Sequence, residues 1–277
     1  MTTTAATTAV AHPSWTSIAV DRMRVELKEF FRSREQMIFI FAFPMIFLVL
    51  FGSIFGDQTL GTTGVKFAQY FMAGMIATGI INTGFQSLAI TISIDRDADG
   101  LKRLHATPLP STAYFAGKMA QVLIVSIIQI AILIGLGVAL YGVTMPTSFH
   151  SWFTFTWVFL LGTAASVTLG IATSSLLRNA KSASAILTPV VLVLQFTSGV
   201  FVVFTDLPNG LRSFGEIFPL KWLAQGMRSV FLPENFAMVE ARQSWEHPMT
   251  AVVLILWFAV GLVVAVRTFR WLRPDDN

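Results

Sequence analysis

Apolar residues run along this chain in six long stretches without charge, separated by shorter polar segments. The stretches cover residues 37–56, 67–94, 119–142, 152–177, 183–204 and 249–266. A helix needs roughly 17–25 residues to cross the hydrocarbon layer, and the longer stretches fit if tilted. Residues 15–34 follow a different rhythm. Trp15, Ile18, Ala19, Met23, Leu27, Phe30 and Phe31 recur at steps of three, four and one, which marks one helical face. Asp21, Arg22, Arg24, Glu26, Lys28 and Glu29 fall mainly on the other face. Such a helix lies along a membrane surface with its apolar face at the acyl boundary, or packs on a partner; the span that follows at once favours the membrane. The pattern predicts an all-α integral membrane protein with six transmembrane helices, an N-terminal amphipathic surface helix and a re-entrant helical segment before span six.

Two polar segments need separate treatment. Residues 95–110 read Asp-Arg-Asp-Ala-Asp-Gly-Leu-Lys-Arg-Leu-His-Ala-Thr-Pro-Leu-Pro, too charged to enter lipid. Their middle predicts one or two helical turns. Asp95, Asp97 and Asp99 are candidate N-caps, favoured at the positive end of a helix dipole. Leu101 and Leu104 share a face, and Pro108 and Pro110 stop the helix. Two exposed leucines there either await a partner's groove or rest on lipid headgroups. In residues 205–248, Leu207-Pro208 and Phe218-Pro219 are breaks, while Phe214, Phe218 and Trp222 are too apolar for free solvation. Two short helices, at 209–217 and 220–231, are expected to dip back against the bundle or to form a small cap. Residues 234–246 read as polar and exposed. The Thr/Ala-rich residues 1–14 read as a disordered tail without the apolar core of a signal peptide, leaving 15–277 as one transmembrane domain.

Composition supports a membrane protein. Of 277 residues, 54% are hydrophobic and 12% charged, with mean hydropathy +0.68. Soluble domains carry about 25% charged residues. Cysteine is absent, which removes disulfides and thiolate metal sites. The net charge of +4 reflects topology, and no nucleic-acid partner is expected. Lys and Arg number 14 across the N-terminal segment, the 95–118 loop, 178–182 and the tail, against five on the opposite side. This bias predicts a multi-pass cell-membrane protein with both termini cytoplasmic. The seven tryptophans, among them Trp152, Trp257 and Trp271, mostly sit near span ends, as an aromatic belt would.

Missing motifs narrow the chemistry. There is no Gly-x4-Gly-Lys-Ser/Thr phosphate loop, so ATP is not bound in that way. His12, His105, His150 and His247 are scattered, without metal-ligand spacing, and no Gly-x-Ser-x-Gly elbow occurs. No metal site and no catalytic residue are expected. Residues 100–205 contain no Asp or Glu, and the other spans carry none in their interiors. Carriers driven by ion gradients keep ionisable groups at mid-membrane. If the chain transports anything, the energy must come from elsewhere.

Polar residues within the spans fall on faces. Thr78, Asn82 and Gln86 step by four, Gln121 and Gln129 lie two turns apart, and Thr188, Gln195 and Ser198 share a face. They line a pathway or bond one helix to another. Gly162, Ser166, Gly170 and Ser174 form a four-step ladder, and Gly52 and Gly56 a second pair. Such residues let backbones approach closely, within the chain or against another copy.

Together these features resemble the membrane subunit of ABC-2-type transporters, in particular the drug-resistance and lipid-exporting permeases. The resemblance covers nearly the whole chain. Its most specific part is Arg96-Asp97-x-x-x-Leu101-Lys102-Arg103-Leu104-x-x-Thr107-Pro108-Leu109. The family usually writes this Arg-Glu-x-Gly-Thr-Leu-x-x-Leu-x-x-Thr-Pro. Here Asp97 replaces Glu, and Asp99-Gly100 stands where Gly-Thr is expected. The resemblance implies that 95–110 is a coupling loop that sits in a cleft of a separate ABC ATP-binding subunit through Asp99, Leu101, Lys102, Arg103, Leu104 and Thr107. It implies a connecting helix containing Trp15, Met23, Leu27 and Phe30, and an outer gate containing Phe214, Phe218 and Trp222. It also implies a second permease copy, homodimeric or heterodimeric, and ATP and Mg2+ on the partner subunit, with no cofactor on this chain. The expected function is the permease subunit of an ATP-driven exporter of hydrophobic or amphiphilic compounds (drug, antibiotic or lipid). The alternative is a membrane scaffold that recruits a cytoplasmic partner without transport.

Overall fold

A computed structural model describes residues 14–61, 63–107, 109–177 and 179–269. Residues 1–13 of the tail, Pro108, Arg178 and Trp271 lie outside them. Helix α1 (Trp15–Arg32) begins at Ser14, whose hydroxyl accepts from the Ser17 N–H as an N-cap. Ser33 separates it from α2 (Arg34–Phe55). Helix α2 buries Ile40, Pro44, Leu48 and Gly52, a stripe at steps of four, and turns Ile38, Ile46, Leu50 and Ile54 outward. A two-stranded antiparallel hairpin, β1 (Thr59–Leu60) and β2 (Val65–Lys66), leads into span two.

Span two is the hub. Helix α3 (Phe67–Ile81) passes through a π turn at Asn82–Ser87 and continues as α4 (Leu88–Asp97). Every residue from Tyr70 to Ile81 is buried. The chain then forms α5 (Gly100–His105), α6 (Ser111–Tyr141), α7 (Phe149–Leu176) and α8 (Ala180–Thr197). A short pair, α9 (Asn209–Ile217) and α10 (Pro219–Phe231), precedes α11 (His247–Thr268). Six helices among the described residues are long and apolar enough to cross a membrane: α2, the α3–α4 rod, α6, α7, α8 and α11.

Close backbone approach explains the small-residue ladder. A Cβ on Gly170 would lie 2.5 Å from the Gly84 carbonyl oxygen, and one on Gly162 would lie 2.4 Å from Leu223. Gly52 faces the Tyr141 ring in the same way. Both sets therefore pack within the chain.

Three sequence expectations need correction. Span three starts at Ser111 rather than 119, because Lys118 is neutralised inside the protein and does not have to stay in water. Span five ends at Thr197 rather than 204. Gly199 takes φ +71 there, and its carbonyl accepts from the Tyr70 hydroxyl at 2.6 Å and from Arg228 Nη1 at 3.2 Å. Residues 234–246 are not an exposed polar stretch, since Phe236, Glu240 and Trp245 are buried. Glu240 holds Arg228 in a bidentate pair, Nε to Oε1 at 2.6 Å and Nη2 to Oε2 at 3.2 Å, while Trp245 Nε1 donates to Glu234 at 3.1 Å.

Candidate functional site

Lys118 lies well inside α6, yet it is 0% exposed. Burying an ammonium requires counter-charges. Its Nζ is 2.7 Å from Glu26 on α1 and 3.2 Å from Asp95 on α4. Arg22 also pairs with Glu26, and both cations lie against the Tyr114 ring, 5.1 and 5.6 Å from its centroid. This ion cluster joins α1, span two and α6. It corrects the expectation for α1, because Arg22 and Glu26 belong to its packed face, beside Met23, Leu27 and Phe30. Phe30 is buried against Ile40 and Val125, and Met23 and Leu27 are half-buried. Trp15 is exposed and donates to Thr112 at 3.0 Å.

Next to the cluster, α1, α2, span two, α6 and α8 line a half-open cavity of about 560 Å³. Phe30, Phe39, Ile40, Ile90 and Ile94 form its apolar wall. Asn82, Gln86 and Gln121 add amides, and Ser184 and Thr188 add hydroxyls from α8. Gln86 donates to Thr188 at 3.0 Å, and Gln36 donates to Ser87 at 2.9 Å and Thr91 at 3.0 Å. The stripe beginning at Thr78 reaches the cavity only from Asn82, where the π turn starts. Thr78 is buried away from the cavity, whereas Asn82 and Gln86 line it. Glu26, Glu29, Glu35 and Asp95 are its acidic lining residues, and no Lys or Arg lines it. Burial, and then the neighbouring Glu26 charge, hold the Glu29 carboxyl above its usual range.

The loop after span two folds back onto the bundle. Asp99 adopts the left-handed conformation, φ +55, at the position where the family pattern places glycine, and Asp tolerates that conformation better than most residues. Asp99 occupies the N-cap position of α5, though its side chain makes no capping hydrogen bond, and Asp95 and Asp97 lie before it. Asp95 binds Lys118, Asp97 accepts from the Ala180 N–H at 2.8 Å, and Asp99 pairs with Lys102 at 3.1 Å. Arg96 donates to the Ser174 carbonyl at 2.7 Å, so the Arg96-Asp97 pair ties span two to the α7–α8 turn. Leu101 is 1% exposed among Ile92, Tyr114 and Ile171, and Leu104 packs on the same cluster. The expectation of two leucines presented outward is therefore wrong: α5 turns its apolar side inward to cover the end of the bundle. Arg103 and Thr107 face solvent, and Lys102 is partly exposed.

A sequence model described as ABC-2 type transporter matches residues 23–232. The chain belongs to the ABC-2 type transporter family. A search of curated proteins gave no match. The protein is thus a multi-pass membrane permease subunit of an ABC transporter, a transport component rather than a catalytic one, and the family implies partnership with an ATP-binding subunit. The matched region takes in Glu26, Asp95 and Lys118 of the ion cluster, the cavity and α5.

In this permease the remaining sequence-selected residues divide. Gln121 lines the cavity, but Gln129, Gln195 and Ser198 are buried in the bundle. Gln129 donates to the Ile40 carbonyl at 2.6 Å, and Gln195 to Asn82 at 3.3 Å. Phe214 is exposed, and its ring packs on half-buried Phe218 at 4.9 Å, which stacks on Trp257 at 6.0 Å. Trp222 lies apart in the interior, donating to the Glu216 carbonyl at 2.7 Å. Sequence reasoning missed the ion cluster. The available signals were a charged pair at i, i+4 beside the apolar stripe of α1, and a lysine eight residues after Pro110.

Proposed function

We propose that this permease is the membrane half of an ATP-driven exporter of hydrophobic or amphiphilic compounds. It works as a pair of permease copies, with α1, α5 and both termini in the cytoplasm and with ATP and Mg2+ on the partner ATP-binding subunits. The cavity carries this reading. An apolar wall with a few convergent amides suits an amphiphilic cargo. Glu26 and Asp95 line that cavity and also hold Lys118, so motion of α1 or of the loop after span two changes its wall. Closing of the ATP-binding subunits moves α5 and α1 as a rigid unit, provided the two states differ in their contacts with nucleotide and cargo. Arg103, Thr107 and Lys102 make the contact, while Leu101 and Leu104 keep α5 seated on the bundle.

The test uses vesicles containing the permease and its ATP-binding subunit. In the Arg103→Glu, Thr107→Glu double variant, ATP-dependent export of an amphiphile falls at least fivefold, with the melting midpoint and cargo binding unchanged. Unchanged export removes the coupling role from this face. Amphiphiles that never stimulate ATP hydrolysis favour a scaffold. Transport that continues without ATP and collapses with an ionophore identifies a gradient-driven carrier.

A further inference from the structure

We infer that the cavity selects organic cations, taking molecules with a bulky positive head on an apolar body. This rests on the cavity being the cargo site. Of its four lining carboxylates, Glu26 and Asp95 are balanced from behind the wall by Lys118 and Arg22. Glu29 and Glu35 make no ion pair among the described residues, and no cationic side chain lines the space. The cavity wall therefore carries two carboxylates, Glu29 and Glu35, whose negative charge no cationic lining residue offsets.

The two unpaired acids have different local explanations. Glu35 sits in the first turn of α2, where a helix dipole favours an acid. Glu29 sits in the last turn of α1, where the dipole disfavours one, so its own helix does not account for it. Gln121 supplies an independent sign of a ligand. It is 8% exposed, lines the cavity and makes no hydrogen bond among the described residues. An amide that lines the cavity without a protein partner is free to bond a polar atom brought by a ligand. No three His, Asp or Glu among the described residues gather as metal ligands would. A spread of acids around apolar walls fits a diffuse organic charge better than a chelated metal ion.

The experiment uses three fluorescent probes with one dansyl-hexyl body and different heads: trimethylammonium, the neutral tert-butyl isostere, and sulfonate. Binding is measured to the permease with its ATP-binding subunit in phosphatidylcholine nanodiscs, which carry no net lipid charge. The ammonium probe binds at least tenfold more tightly than the neutral one, and the sulfonate binds most weakly. Glu29→Gln with Glu35→Gln, both at exposed positions, narrows the ammonium advantage below threefold and leaves the neutral probe within twofold. Ile90→Trp fills the cavity and weakens all binding at least tenfold. If ammonium and neutral probes bind equally and Ile90→Trp abolishes both, charge selection is overturned and the cargo cavity stands. If Ile90→Trp leaves binding intact, or no probe binds, the cargo-cavity reading falls and this inference with it.

Discussion

Two buried cations sit near opposite ends of span two and are neutralised in different ways. Arg228, close to Tyr70, is gripped by Glu240 and the Gly199 carbonyl in a closed pair that does not line the cavity described above. Lys118, close to Asp95, is equally buried, but both of its acids open onto a cavity with further carboxylates. The first arrangement fixes one conformation: α10 is held to the 234–246 segment and to the turn after α8 by a network without spare charge. The second leaves its anions accessible to whatever fills the cavity, so packing there is linked to occupancy. Lys221 adds a weaker version at the Arg228 end, 3.7 Å from Glu246 and 3.5 Å from the Trp222 ring centroid.

Substitutions that break these pairs separate the two designs. The largest effect is expected from Arg228→Met, which strands Glu240 in the interior at about 3–5 kcal/mol. It appears as a lower melting midpoint in detergent, and adding Glu240→Leu recovers most of the loss. Lys118→Met should cost less, about 2 kcal/mol, because Glu26 and Asp95 can take up water or a proton from the cavity. If the two single variants lose equal stability, the contrast between a closed and an open pair fails. The smallest effect is a pH slope. Burial pushes the Lys221 ammonium down to about 8, against the pull of Glu246. Above that pH the folded form has lost a proton that the unfolded chain keeps up to its ordinary 10.5, so this contribution to stability rises with pH between about 8 and 10.5. Comparing melting midpoints at two pH values in that window, wild type against Lys221→Met, isolates it: the variant lacks this rise.

The spans were legible because lipid imposes a one-dimensional rule: long uncharged runs must cross. The same rule misplaced the start of α6, because Lys118 looked unable to enter and the acids that admit it come from Glu26 and Asp95, far away in sequence. Leu101 was assigned to a partner for a similar reason. A leucine on a charged helix needs an apolar surface, and periodicity does not say whether that surface is another protein or this chain's own Tyr114 and Ile92. The polar stripes were visible as stripes. Which members reach a cavity depended on where α1, α2 and α8 stand beside span two, which no local pattern records.

By itself, then, the amino-acid order determined the number of spans, the amphipathic lead helix, the helical pair before the last span and the family, because each follows from local periodicity or a contiguous motif. Only the tertiary structure decided which charges are buried together, which leucine is covered and where the cavity lies. Those outcomes depend on distant segments meeting in a medium of low polarity, where a charge or an amide is tolerated only once its partner has arrived.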